Sequence, residues 1–131
     1  MWSAKRGATL LIPSGPLHDP GRMHLHIVLT DPLAATGDVL LVCVCSIPLS
    51  NLYDGSCTLF PGEHPFIVKH SFVDYNRCVI ASALSLEQKV INKAFFGKDP
   101  LDAKRVADVL AGFADSPRVA PKLRRFFAAA P

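Results

Sequence analysis

Residues 39–46, Val-Leu-Leu-Val-Cys-Val-Cys-Ser, are apolar almost throughout and rich in β-branched side chains. Alternate side chains of a strand point to opposite sides of a sheet, so a run with no polar face reads as a strand buried on both sides. The segments before and after it read as its neighbours. Ala8–Ile12 is a short apolar run stopped by Pro13-Ser14-Gly15-Pro16, and Asp19-Pro20-Gly21 marks the polar loop that follows. His24–Thr30 alternates, with Leu25, Ile27 and Leu29 on one side and His24, His26, Val28 and Thr30 on the other. Asp31-Pro32 and Thr36-Gly37-Asp38 bracket a turn between this strand and the apolar one. Cys57–Phe60, Phe66–Ser71 and Arg77–Ala83 are further strand candidates, with Asp54-Gly55 and Pro61-Gly62 as turns. Short strands at this spacing predict a small antiparallel barrel or sandwich rather than alternating βαβ units.

The last third changes period. Ser85-Leu86-Glu87-Gln88 fits a capping box, and Asp99-Pro100 is a stronger helix start, followed by a stripe of Val106, Val109, Leu110 and Phe113. Ser116-Pro117 stops that helix. Pro121 opens another, with Leu123, Phe126, Phe127 and Ala130 on its stripe.

With 131 residues, half of them apolar and 19% charged, the chain suits one domain with a real core, and leaves apolar surface to bury against a partner. No apolar run approaches the roughly 18 residues of a membrane-spanning helix. The basic pair Lys5-Arg6 precedes an apolar run of only five residues, too short for a signal core, so the four cysteines are expected as reduced thiols in a cytoplasm. Charge is uneven: residues 1–84 hold five Lys/Arg against six Asp/Glu, and residues 85–131 hold nine against five. A basic tail on a near-neutral body suits an acidic protein or a nucleic-acid backbone, or is simply a solvated helix surface.

The phosphate-binding glycine motifs and the Gly-x-Ser-x-Gly nucleophile motif are absent, so no nucleotide cofactor has a visible cradle and none is expected. If the turn at 31–38 closes a hairpin, facing residues sum to about 69 or 70, and His24 lies opposite Cys45 or Ser46, with Cβ atoms roughly 5 Å apart. An imidazole beside a hydroxyl at the open end of a strand pair can do acid–base chemistry; the alternative is that His24 and His26 are surface residues of an edge strand. In Cys57-x6-His64-x5-His70 the histidine spacing suits zinc but the lone cysteine does not make a structural site, so no metal is expected, although a zinc-stabilised interaction domain is a third reading. Cys43 and Cys45 share one strand face and read as small buried apolar groups. The segment Gly62–Tyr75 gathers His64, Lys69, His70, Ser71 and Tyr75 with Phe66 and Phe72, the mixture of charge and rings that single-stranded RNA binding uses; equally, Phe66, Val68, Phe72 and Val73 could fill the core.

The order Gly7-Ala8-Thr9-Leu10-Leu11-Ile12, then His24–Pro32, then Val39–Ile47, resembles the opening of the MazF/PemK-like toxins. The closest likeness is to a divergent branch in which a Gly-acidic-His-Pro-Phe-Ile segment leads into Ser-aromatic-Val-x-Tyr, matched here by Gly62–Tyr75. The resemblance spans about residues 7–83 and implies an α+β, mostly β fold: a small SH3-like antiparallel β-barrel at 7–83 with a helical tail at 85–131, forming a single domain over 1–131. It further implies the toxin of a type II toxin–antitoxin pair, a cytoplasmic, metal-independent endoribonuclease that cleaves single-stranded RNA. Such a toxin is usually a homodimer, is bound by a cognate antitoxin and has no membrane association. Typical members open the second strand with a catalytic Arg, where this chain has His24, and end the third with a catalytic Thr or Ser, where it has Ser46. His24 and His70 are then the acid–base candidates, Arg22 and Ser46 the donors, and His26, His64, Lys69, Tyr75 and Arg77 the RNA contacts. The Arg-to-His departure leaves open a barrel that has lost cleavage and acts as a non-catalytic RNA- or protein-binding module.

Overall fold

In the computed structural model, which describes residues 1–130, the strands β1 (Thr9–Pro13), β2 (Met23–Val28), β3 (Asp38–Ser46), β4 (Thr58–Leu59), β5 (Ser71–Ser82) and β6 (Phe96–Lys98) form one antiparallel sheet in the order β4-β5-β3-β2-β1-β6. Pro131, the last residue of the expected tail, lies outside the described residues. The sheet curls into a half-barrel, and α1 (Ala83–Ile91), α2 (Ala103–Asp115) and α3 (Pro121–Ala129) complete a mostly β, α+β domain.

The doubly apolar run is the sheet's pivot. On one side Leu40, Val42 and Val44 of β3 join Leu25 and Ile27 of β2 and Val73 and Tyr75 of β5, beneath Val106, Val109 and Phe113 of α2 and Leu123 of α3. On the other, Val39 and Leu41 join Leu10 and Val28 beneath Ala4, Ala8, and Ala83 and Leu86 of α1. Burying each such Val, Leu or Ile contributes about 1.5–3 kcal/mol, so the helices are a wall of the core rather than a tail. Gly112 allows α2 to close on the sheet: a Cβ there would overlap the Tyr75 hydroxyl and stand 2.8 Å from Cys57 Cβ. The Tyr75 hydroxyl donates instead to the Val109 carbonyl at 2.7 Å.

Several elements differ from the sequence expectation. Residues 66–70 are not a strand: the Gly62 amide donates to the Ile67 carbonyl (3.1 Å) and the Ile67 amide to the His64 carbonyl (2.9 Å), winding the segment into turns. Ile67 alone of this stretch is driven into the core, while Phe66 and Val68 are exposed, so these two do not fill it. Helix α1 begins three residues early because the Ser82 hydroxyl, at the end of β5, accepts from the Ser85 amide (3.1 Å). Helix α2 begins three residues late; before it, the Leu101 amide donates to the Gly7 carbonyl (2.8 Å) and Leu101 is seated in the core. Strand β6 was not foreseen; it pairs Thr9 with Lys98 and brings part of the 85–131 segment into the sheet. Gly97 makes room there for the Trp2 ring, whose Cδ1 would be 2.6 Å from an added Cβ.

The pairing of β3 with β5 is interrupted. Leu41 faces Val79, but Cys43 faces Asp74, so four residues of β5 span the place of one on β3. Bulges of this kind bend a strand and re-aim its side chains. Arg77 lies in it.

Candidate functional site

The pairs His26↔Cys43, Ile27↔Val42 and Val28↔Leu41 sum to 69, the hairpin register expected. Continued two residues, it sets His24 across from Cys45. Ser46, paired with Ser71, is turned by the pleat to the opposite side of β3. His24 and Ser46 both border one cleft of about 310 Å³, with Arg22 and Lys69 on its rim, but their side chains leave the sheet on different faces. Of the two partners expected opposite His24, the register selects Cys45 and turns the Ser46 hydroxyl away from the imidazole, which is instead within hydrogen-bond distance of Ser14 and feels the charge of Arg77.

Ser14 follows β1 at the start of a loop whose ends are tied by the Ser14 amide donating to the Arg22 carbonyl (2.8 Å). Its hydroxyl donates to the Ile12 carbonyl at 3.0 Å and stands 2.8 Å from His24 Nδ1. With the hydroxyl proton already directed at a carbonyl, Ser14 Oγ acts as acceptor and His24 Nδ1 as donor. Nε2 then carries the free lone pair. Partial burial, then Arg77 and Arg22, lower the His24 pKa below 6.5, so the ring is neutral at neutral pH and can accept a proton there. From the β5 bulge Arg77 reaches across the sheet: Nη2 donates to the Ser14 carbonyl (3.1 Å) and Nη1 to Cys45 Sγ (3.8 Å).

Beneath lie Cys43 and His26. The two sulfurs are 3.7 Å apart, with Cys43 buried and Cys45 half-buried. The hydrogen bond from Cys43 lowers the Cys45 thiol to about 7; burial and Asp74 oppose this and Arg77 adds to it. The same hydrogen bond, with burial, pushes the Cys43 thiol far up. So Cys45 is not the inert apolar filler that its sequence context suggested. His26 is 8% exposed and donates through Nδ1 to the His24 carbonyl (3.0 Å); burial lowers its pKa to about 4, against that hydrogen bond and with help from His24 and Arg77.

Three of the expected RNA contacts are interior. His26 lies under the site. His64 is buried, its Nε2 within 2.7 Å of the Asp99 carbonyl and 3.0 Å of Thr9 Oγ1, where it pins the turn segment to β1 and the approach to α2. Tyr75 is 1% exposed in the main core. His64 and Tyr75 satisfy their buried polar atoms on partners far along the chain and His26 on the nearby His24 carbonyl, and their burial removes all three from direct contact with RNA. Lys69 and Arg77 are exposed, as is Arg22, which is ion-paired to Asp19 at 3.1 Å. His70 is exposed and stacked on Phe60, ring centroids 4.3 Å apart and 10° from parallel. Tyr53 and Phe72 form a second ring pair at 5.2 Å, and Phe72 faces Cys45 across β3 and β5.

Ser14 is the site residue that sequence reasoning missed, since nothing in a turn cluster signals it. Cys45 is placed opposite His24 by the sum of 69, but the sequence reads it as apolar filler. Among the described residues no group of three or more His, Cys, Asp or Glu side chains is arranged to hold a metal ion, and no helix is long and apolar enough to cross a membrane. No family model, curated protein or solved structure matches the chain.

Proposed function

We propose that the protein is a metal-independent endoribonuclease acting on single-stranded RNA: the toxin of a type II toxin–antitoxin pair, built on an SH3-like barrel and working as a homodimer in the cytoplasm. One observation carries this reading: Ser14 Oγ stands 2.8 Å from His24 Nδ1 and Arg77 is held beside it by the Ser14 carbonyl, an arrangement that leaves Nε2 as the base, with a lowered pKa favouring the neutral ring. In the reaction, His24 Nε2 takes the proton of a ribose 2′-OH, whose oxygen attacks the adjacent phosphorus. Arg77 stabilises the charge that develops on the phosphoryl oxygens, and the leaving 5′-oxygen is protonated from water on this open face. Arg22 and Lys69 draw in the neighbouring phosphates. His70 directly precedes β5, which stands two strands from β2, about 10 Å at ordinary strand spacing, so His70 serves the adjoining nucleotide rather than the same phosphate. The antitoxin partner is an acidic segment laid over the same face.

The test is cleavage of a labelled single-stranded RNA by the full chain in the presence of a chelator, with growth of cells producing the protein as a second readout. His24→Ala is expected to reduce cleavage by about 10²–10⁴-fold and to relieve growth arrest. Wild-type rates from this variant sink the proposal. A second reading, a non-catalytic SH3-like RNA- or protein-binding module, is favoured by the ring pairs Phe60–His70 and Tyr53–Phe72, which suit base stacking without turnover. It predicts salt-sensitive RNA binding by the wild type with no cleavage.

A further inference from the structure

We propose that Cys45 is an oxidation site for hydroperoxides, and that Cys43, two residues earlier on the same strand, resolves the oxidised sulfur as an intrastrand disulfide. A sulfur that reacts in this way has to be reachable, held beside positive charge, and close to a second thiol. Cys45 is half-buried at the end of β3, Arg77 Nη1 donates to its sulfur at 3.8 Å, and Cys43 Sγ is 3.7 Å away. The lowered Cys45 pKa supplies thiolate at neutral pH.

The chemistry balances without a cofactor. The Cys45 thiolate attacks one peroxide oxygen; the S–O bond forms, the O–O bond breaks, sulfur loses two electrons and the other oxygen departs as hydroxide or alkoxide. Oxidation of Cys45 removes the thiolate whose hydrogen bond was the main cause of the raised Cys43 pKa, and the Cys43 sulfur then attacks Cys45; the S–S bond forms, the S–O bond breaks, and water leaves with the Cys43 proton. Two thiols and one hydroperoxide give one disulfide, one alcohol or water, and one water.

Alternate residues on a strand are about 6.6 Å apart at Cα, near the upper end of the disulfide range, so the bridge is strained and easily reduced. The other two cysteines provide an internal contrast. Cys57 and Cys78 are buried, and burial pushes their thiols up to about 11 and about 12. This oxidation is independent of RNA cleavage, and its test reads sulfur chemistry alone.

The reduced full chain is treated with hydrogen peroxide, with and without dimedone, and mapped by peptide mass spectrometry, with circular dichroism to confirm folding. The wild type is expected to form a Cys43–Cys45 disulfide that dithiothreitol reverses. Cys43→Ser, which keeps a hydroxyl donor beside the Cys45 sulfur, should trap a dimedone adduct on Cys45, formed at least about tenfold faster than any modification of Cys57 or Cys78; Cys43→Ala, used if Ser unfolds the chain, should trap the same adduct more slowly but still ahead of Cys57 and Cys78. Cys45→Ser should give neither product. Folded protein in which Cys45 reacts no faster than Cys57 overturns the site, and a wild type that accumulates Cys45 sulfenic acid without a disulfide overturns the role of Cys43.

Discussion

Along β2 and β3 one face of the sheet changes character within four residues. Val28 and Leu41 are sealed beneath Ala8 and Leu86, whereas His24 and Cys45 stand at its open end beside Arg77. The strands, their pairing and their alternation are common to both ends. What differs is the cover: the N-terminal segment and α1 lie over one half, whereas Ser14 and the Arg77 guanidinium border the other. The comparison teaches that strand alternation delivers side chains to a face, and that what lies over the face decides whether they hold the fold together or meet a substrate. His26 sits at the border and shows both characters, with a titratable ring at the depth of a core residue.

Three substitutions press on that division. The largest expected effect comes from the dry half: Leu41→Ala should cost about 2–5 kcal/mol in urea unfolding, because the cavity is hemmed in by Leu10, Val39 and Leu86. Peroxide reactivity of Cys45 should persist under native conditions, and its loss in the folded variant would show that the two halves act as one unit.

The next concerns the border. Above pH 6.5 His26 is neutral in both folded and unfolded chains, and its contribution to stability is full. Below 6.5 the unfolded chain takes up a proton that the folded ring, at about 4, refuses, so stability falls with pH until about 4 and then levels. The loss from this group at pH 5 is roughly 2 kcal/mol, comparing urea midpoints with pH 7.5. His24, lowered in the same direction, adds to it; Arg77 carries charge throughout. His26→Leu should flatten most of this slope, and an unchanged slope would remove His26 as its source.

The smallest effect tests the cover itself. Ser82→Ala removes the cap of α1 and should cost about 1 kcal/mol, with faster amide exchange confined to α1 and the apolar half beneath it. Equal acceleration around His24 would show that the two halves open together.

The sequence made the β2–β3 hairpin legible because its information is local: an alternating run, a turn and a second run fix the register between them. Arg77 was named as an RNA contact, but its reach to Ser14 and Cys45 was not visible, because the bulge that aims it arises from pairing residues more than thirty positions apart. His64 and Tyr75 were misassigned to the surface for a related reason. Each buries a polar atom against a partner about 35 residues downstream, and no window of sequence shows that such a partner exists. Strand β6, three residues long, likewise exists only because Thr9 and Trp2 are there to receive it.

The extra residues of β5 carry a consequence for how this site can be lost. A shortening of that strand which restored an even ladder against β3 would keep every histidine and cysteine and could still withdraw the guanidinium from the cluster. The cation is thus specified by surplus chain length as much as by residue type, and an arginine preserved in the gene is no guarantee of an arginine preserved in the site.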